Sequence, residues 1–179
     1  MKILVTGSYG QLGRSLFNYL KSNNEILLTG RNIPLSINGF YLDICDRLNL
    51  RDLISLHNPD ILINLAALTN VDLCENNSDL AREINTNGVR NICDTFRGKI
   101  VQLSTDYVFD GKNGPYVEED EVFPLSVYGK TKLEAENIVS SHSSNNLIIR
   151  GNVLYDNCLS TRASFLNWVV QSLREKTPI

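Results

Sequence analysis

The chain has 179 residues, 42% hydrophobic and 21% charged, with 17 basic against 20 acidic side chains and a formal net charge of -3. That length suits one ordinary domain, and the balance excludes both a disordered chain and a protein that binds nucleic acid by neutralising phosphates. No apolar run approaches the roughly 18 residues that a membrane span needs, and the short apolar start that breaks at Gly7 is no signal peptide. Cys45, Cys74, Cys93 and Cys158 have no CxxC spacing, so they read as small buried residues of a cytoplasmic protein, with no disulfide frame and no metal site.

In chain order, Ile3 to Val5 reads as a buried strand and Gln11 to Lys21 as a helix with apolar residues at 12, 16, 17 and 20. Ile26 to Leu28 and Phe40 to Leu42 are the next two strands. Leu48 to His57 makes a helix closed by Pro59, and Ile61 to Leu65 is the strongest central strand. A long helix is expected over Asp79 to Phe96, then a strand over Lys99 to Ser104. Asp106 to Pro124, with its glycines and prolines, is a long loop. Ser126 to Ser141 is helical, Leu147 to Ile149 a sixth strand, and Ser164 to Lys176 the last helix. Strands that are continuous apolar runs, alternating with helices, predict an α/β fold: a doubly wound parallel sheet of the Rossmann type with helices on both faces.

The first strand leads directly into GSYGQLG at 7–13, which opens the first helix. Gly7, Gly10 and Gly13 permit a tight turn and close backbone approach, and the free amides of the helix start attract a pyrophosphate. At the end of the second strand, where a ribose-binding carboxylate would mark NAD, stands Gly30-Arg31. A guanidinium there pairs with a 2′-phosphate, so NADP(H) is favoured over NAD(H). Tyr128 and Lys132 fall one helical turn apart on one face, where an ammonium would lower the phenol's pKa. Ser104-Thr105-Asp106 ends the fifth strand, where side chains face the crevice of such a sheet; alone, Thr105 would read as a cap or turn residue. The acidic run Glu118 to Glu121 reads as a solvated loop. His57 and His142 have no partner in the sequence.

The set GSYGQLG (7–13), LDI (42–44), NLAA (64–67) with Thr69, Val71 and Asp72, STDYVFDG (104–111) and YGKTKLE (128–134) resembles the extended short-chain dehydrogenase/reductase family. The likeness is to its branch of nucleotide-sugar reductases and runs to at least Tyr155. It implies Tyr128 as proton donor, Lys132 as holder of the nicotinamide ribose, and Thr105 as hydrogen-bond donor to a sugar keto oxygen. It further implies Gly10, Gln11 and Leu12 at the pyrophosphate, Asp43 and Ile44 at the adenine, and Ala66, Ala67 and Ser104 on the ribose side. Asp106 and Val153 would face the substrate. Asn85, kept by the family in the long helix, would be structural. Where the family usually reads RTSWVY after the sixth strand, this chain has RGNVLY at 150–155, with Val153 in the aromatic's place.

The resemblance thus implies an NAD(P)H-dependent reductase of a nucleotide-linked 4-keto-6-deoxysugar, in deoxysugar biosynthesis. A homodimer is compatible with it. Family members run on past Thr177-Pro178-Ile179, so residues 1–179 are expected to be the cofactor-binding domain, with the substrate domain outside this chain and the chain alone inactive. Two other functions fit the same motifs: an NADP-binding regulatory subunit that has lost turnover, and a nucleotide-sugar epimerase or dehydratase.

Overall fold

The computed structural model describes residues 1–154 and 165–175; the readings that fall on Tyr155, Cys158, Ser164, Lys176 and the terminal 177–179 lie outside the described residues. Six parallel strands form one sheet: β1 (Lys2–Thr6), β2 (Glu25–Gly30), β3 (Phe40–Tyr41), β4 (Ile61–Asn64), β5 (Lys99–Thr105) and β6 (Leu147–Gly151), in the order β3-β2-β1-β4-β5-β6. All six were legible as apolar runs. The order reverses between β1 and β4, and such a switch opens a crevice beyond the carboxyl ends of the strands.

The helices are α1 (Gln11–Leu20), α2 (Arg47–His57), α3 (Val71–Asn76), α4 (Ser78–Arg82), α5 (Gly88–Thr95), α6 (Val127–His142) and α7 (Phe165–Glu175). Their starts follow from side chains that accept orphan amides. Asp46 takes Leu48 and Asn49 N–H, Asn70 takes Leu73 N–H, and Ser126 takes Gly129 N–H. Helix α2 ends on Asn58 in the left-handed region.

Two expectations need correction. The helix expected over Asp79 to Phe96 is three pieces: α4, a π-helical turn at Glu83–Asn87, and α5. The wider turn swings Asn85 and Thr86 toward α6, where both are buried. The segment before it, unassigned from sequence, is helix α3. A single 3₁₀ turn at Asp106–Val108 also tightens the start of the long loop.

An apolar core cluster lies on one sheet face. Leu4, Leu27, Leu62 and Ile100 meet Leu50 and Leu53 of α2, Val89 and Ile92 of α5, and Ala135 and Val139 of α6. Right-handed crossovers put α1 on the opposite face, because β1 to β2 steps the other way along the sheet from β4 to β5 and β6. That second face closes over Ile3, Val5 and Leu28 but opens toward β6, where Leu147 and Ile149 are 46% and 45% exposed.

Candidate active site

Gly7 sits at φ +63°, and a Cβ there would fall 2.9 Å from the Leu65 carbonyl and the Ala66 nitrogen. Only glycine lets β1 turn this close to the loop after β4. A Cβ on Gly13 would collide with the Ser8 backbone, so the third glycine serves the packing of α1 onto the turn. Ser8 is tied down by its hydroxyl to the Val5 carbonyl and by its amide to Thr29.

This turn forms one wall of a cleft of about 580 Å³ across the switch point. Gly7, Gly10, Gln11, Leu12 and Gly13 line its glycine-turn side, and Arg31, Asp43 and Ile44 its outer end. Ala66, Ala67, Ser104, Thr105, Asp106, Tyr128 and Val153 line the inner end. Of the residues given a catalytic, cofactor or substrate role from sequence, only Lys132 is not in the lining. Thr69, which was quoted with the NLAA run but given no role, lines the cleft too, as do Tyr107, Asn152 and Leu154, which were not singled out. Tyr107 carried a visible signal, since it lies within the STDYVFDG run.

At the outer end the sequence reading needs amendment. No carboxylate follows β2 directly, yet Asp43, after β3, stands 3.9 Å from the Arg31 guanidinium. The acid comes from the neighbouring strand end, which local spacing does not reveal. Its other oxygen accepts Cys45 N–H at 3.0 Å. A second hollow of about 370 Å³ adjoins this end, bounded by Arg31, Asn32, Arg14 and Tyr9. The Arg14 Nε donates to the Tyr9 carbonyl at 3.0 Å.

At the inner end Thr105 serves both as a turn residue and as a cleft residue. Its hydroxyl accepts Tyr107 N–H and donates to Asp106, each at 3.2 Å. It also lies in hydrogen-bonding reach of the Tyr128 phenol, a contact that favours the phenolate. Burial outweighs that contact, so the Tyr128 pKa is raised, opposite to the lowering expected from Lys132. The ammonium does not face the phenol. Lys132 is 4% exposed and donates to the Leu103 carbonyl at 2.5 Å, and burial drives its pKa down to about 8 against the pull of Glu136. Tyr107 meets the Tyr128 ring edge-on at 5.7 Å. The Ser104 hydroxyl is buried without a partner beside the cleft.

Three further contacts fix this end. Asn85 Oδ1 accepts Leu68 N–H at 2.7 Å while its Nδ2 donates to the Leu68 carbonyl and to Thr131, binding the loop after β4 to α6. Glu75 of α3 accepts Val127 N–H at 2.6 Å, holding the first turn of α6. Arg150 makes a bidentate pair with buried Glu136, closest at 2.8 Å, and donates to the Glu118 carbonyl, which pins the long loop.

The profile of the family described as the RmlD substrate binding domain matches residues 1–179. The chain belongs to that family. It is 38% identical over 153 residues to a dTDP-4-dehydrorhamnose reductase of Aggregatibacter actinomycetemcomitans, across 83% of this chain and 50% of that protein. It is 30% identical over 178 residues to the methionine adenosyltransferase 2 subunit beta of Danio rerio, across 97% of this chain and 54% of that one. A dTDP-4-dehydrorhamnose reductase from Bacillus anthracis, solved in complex with NADP, superposes with a TM-score of 0.86 at 29% identity, covering 97% of this chain and 60% of that one. The chain spans about half the length of the curated relatives it matches. This RmlD-family chain is thus related to oxidoreductases built on an NADP-binding Rossmann sheet. Among its described residues no helix is long and apolar enough to cross a membrane.

Proposed function

We propose that the cleft binds NADP(H) and that residues 1–179 are the cofactor-binding part of a reductase acting on a nucleotide-linked 4-keto-6-deoxysugar. The observation that carries this reading is that the cleft holds the glycine turn at one end and the Thr105, Asp106 and Tyr128 side chains at the other. The amides of Gly10 to Leu12 would hold the pyrophosphate, Asp43 and Ile44 the adenine, and Ala66, Ala67 and Ser104 the ribose side. Arg31, beside the hollow that Arg14 also bounds, recognises a 2′-phosphate, although Asp43 at 3.9 Å offsets part of its charge.

When bound, the reduced nicotinamide supplies a hydride to the keto carbon. Thr105 turns its hydroxyl to the keto oxygen and polarises it. Tyr128, held protonated by burial, gives its phenolic proton to that oxygen. Asp106 and Val153 border the sugar. Lys132, buried on the Leu103 carbonyl and outside the lining, would reach the ribose only by releasing that carbonyl. The sugar pocket draws its remaining walls from the length that the relatives have beyond this chain. Without that positioning roughly 7 to 11 kcal/mol of advantage is forfeited, so the chain alone binds cofactor and turns over near background.

Calorimetric titration tests the cofactor. NADPH is expected to bind more tightly than NADH, and Arg31→Ala to erase the difference; equal affinities in the unaltered chain would overturn the assignment. Joined to the C-terminal half of a reductase relative, the chain is expected to oxidise NADPH with a dTDP-4-keto-6-deoxysugar, and Tyr128→Phe to slow this about 100-fold or more at unchanged cofactor affinity. A second reading, an NADP-binding regulatory subunit, draws on the 97% coverage by the methionine adenosyltransferase relative. It predicts cofactor binding and no sugar turnover in the joined form.

A further inference from the structure

Beneath the cleft, on the sheet face that carries the apolar core, runs a row of buried polar groups. Thr6, Asn64 and Gln102 are consecutive register partners on β1, β4 and β5, each 1% exposed. The Thr6 hydroxyl donates to Asn64 Oδ1 at 2.5 Å, and Asn64 Nδ2 donates to Gln102 Oε1 at 2.8 Å. Gln102 Nε2 then donates to the Leu103 carbonyl at 2.8 Å, the same oxygen that receives the Lys132 ammonium. Backbone groups fix both amide orientations. Asn64 Oδ1 also receives Ala66 N–H, which can only donate, and the Leu103 carbonyl can only accept. The donors of Thr6, Asn64 and Gln102 therefore point one way, from the glycine turn to the Leu103 carbonyl, which the Lys132 ammonium meets from the other side.

Packing does not call for such a row. Burying three polar side chains between Leu4, Leu62 and Ile100 and the strand ends carries a desolvation cost that leucine or valine would avoid. The ends of the row have chemistry. Thr6 precedes Gly7, and its hydroxyl also receives the Leu65 and Ala66 amides at 3.2 Å, which sets the loop against the turn. Lys132 closes the other end. The charged group facing it is Glu136, one turn along α6 and already paired with Arg150.

We propose that Asn64 and Gln102 are positioning residues that, with Thr6, join the glycine turn to Lys132 through one hydrogen-bonded row, so that a ligand on the turn is felt at the lysine. This rests on the reading of the cleft as an NADP(H) site with Lys132 at the ribose. A strand-to-strand staple would need the same bonds but would not transmit a change from one end to the other.

The test reads the Lys132 side-chain resonance in the 179-residue chain made with isotope-labelled lysine, at one pH and first without cofactor; Lys132→Arg assigns the signal. Thr6→Val keeps the shape and removes the donor, whereas Thr6→Ser keeps the donor. Thr6→Val and Gln102→Met are expected to displace the Lys132 signal and Thr6→Ser to leave it in place. NADPH affinity should then fall about fivefold in Thr6→Val and recover in Thr6→Ser. Identical Lys132 signals in the two Thr6 variants, or a response to Gln102→Met alone, would overturn the row as a unit. Should Gln102→Met fail to fold, the Thr6 pair decides. A chain that does not bind NADPH refutes the functional reading, while the free-state resonances still decide the row.

Discussion

Burying the Lys132 ammonium is costly, because the cleft floor takes a full charge out of water. Its folded-state pKa, about 8, lies below the 10.5 of the unfolded chain, so the folded protein holds this proton less tightly. The penalty is full below pH 8, shrinks as the pH rises from there, and vanishes above about 10.5. Lys132→Met is therefore expected to raise stability at pH 7 by about 1–3 kcal/mol, with the gain closing between pH 8 and 10.5 in thermal melts. A gain that does not depend on pH would show that shape, not charge, governs the site. The sequence made Tyr128 and Lys132 neighbours by counting one helical turn. It could not show that the lysine dives under β5 while the tyrosine stays in the cleft, because that depends on how α6 leans on the sheet. Arg31 was legible as the residue after β2, but its acid partner Asp43 was not, since the two meet through β2–β3 pairing and lie far apart in sequence.

Elements with several turns of regular apolar spacing or a continuous apolar run were readable: β1 to β6, α1, α2 and α6. The six residues of α3 are too few for periodicity to register, and only the Asn70 cap ahead of them signals a start. The π turn at Glu83–Asn87 escaped for another reason, since one extra residue in a turn leaves the local composition unchanged. That turn nonetheless decides where Asn85 points. With its amide spent on the Leu68 backbone and on Thr131, Asn85→Leu should cost about 2–4 kcal/mol by urea denaturation, because it strands buried backbone partners. The same variant should weaken NADPH binding through the displaced Ala66-Ala67 loop. A loss under about 0.5 kcal/mol would mean that the loop and α6 hold their places without it.

The sheet as a whole was predicted with helices on both faces, and the two faces prove unequal. Hydrophobic pattern tells that a strand is apolar throughout, but not how deeply each side is covered. The difference shows in what each position contributes. Leu62→Ala, within the cluster under α2, α5 and α6, is expected to cost about 2–5 kcal/mol, and Ile149→Ala on the half-open side less than about 1 kcal/mol. Equal losses in chemical denaturation would mean that the second side is packed as tightly as the first.

That inequality bears on which changes the chain can absorb. In a library of single substitutions screened for folded protein, tolerance along β6 should alternate residue by residue: Leu147 and Ile149 accept polar replacements, while Ile148, packed against the core between them, rejects them. Along β1 no such alternation should appear, because Ile3, Leu4 and Val5 are closed off on both sides. Drift in this sequence is thus channelled toward one edge of the sheet, and room for innovation lies at the strand that borders the inner end of the cleft.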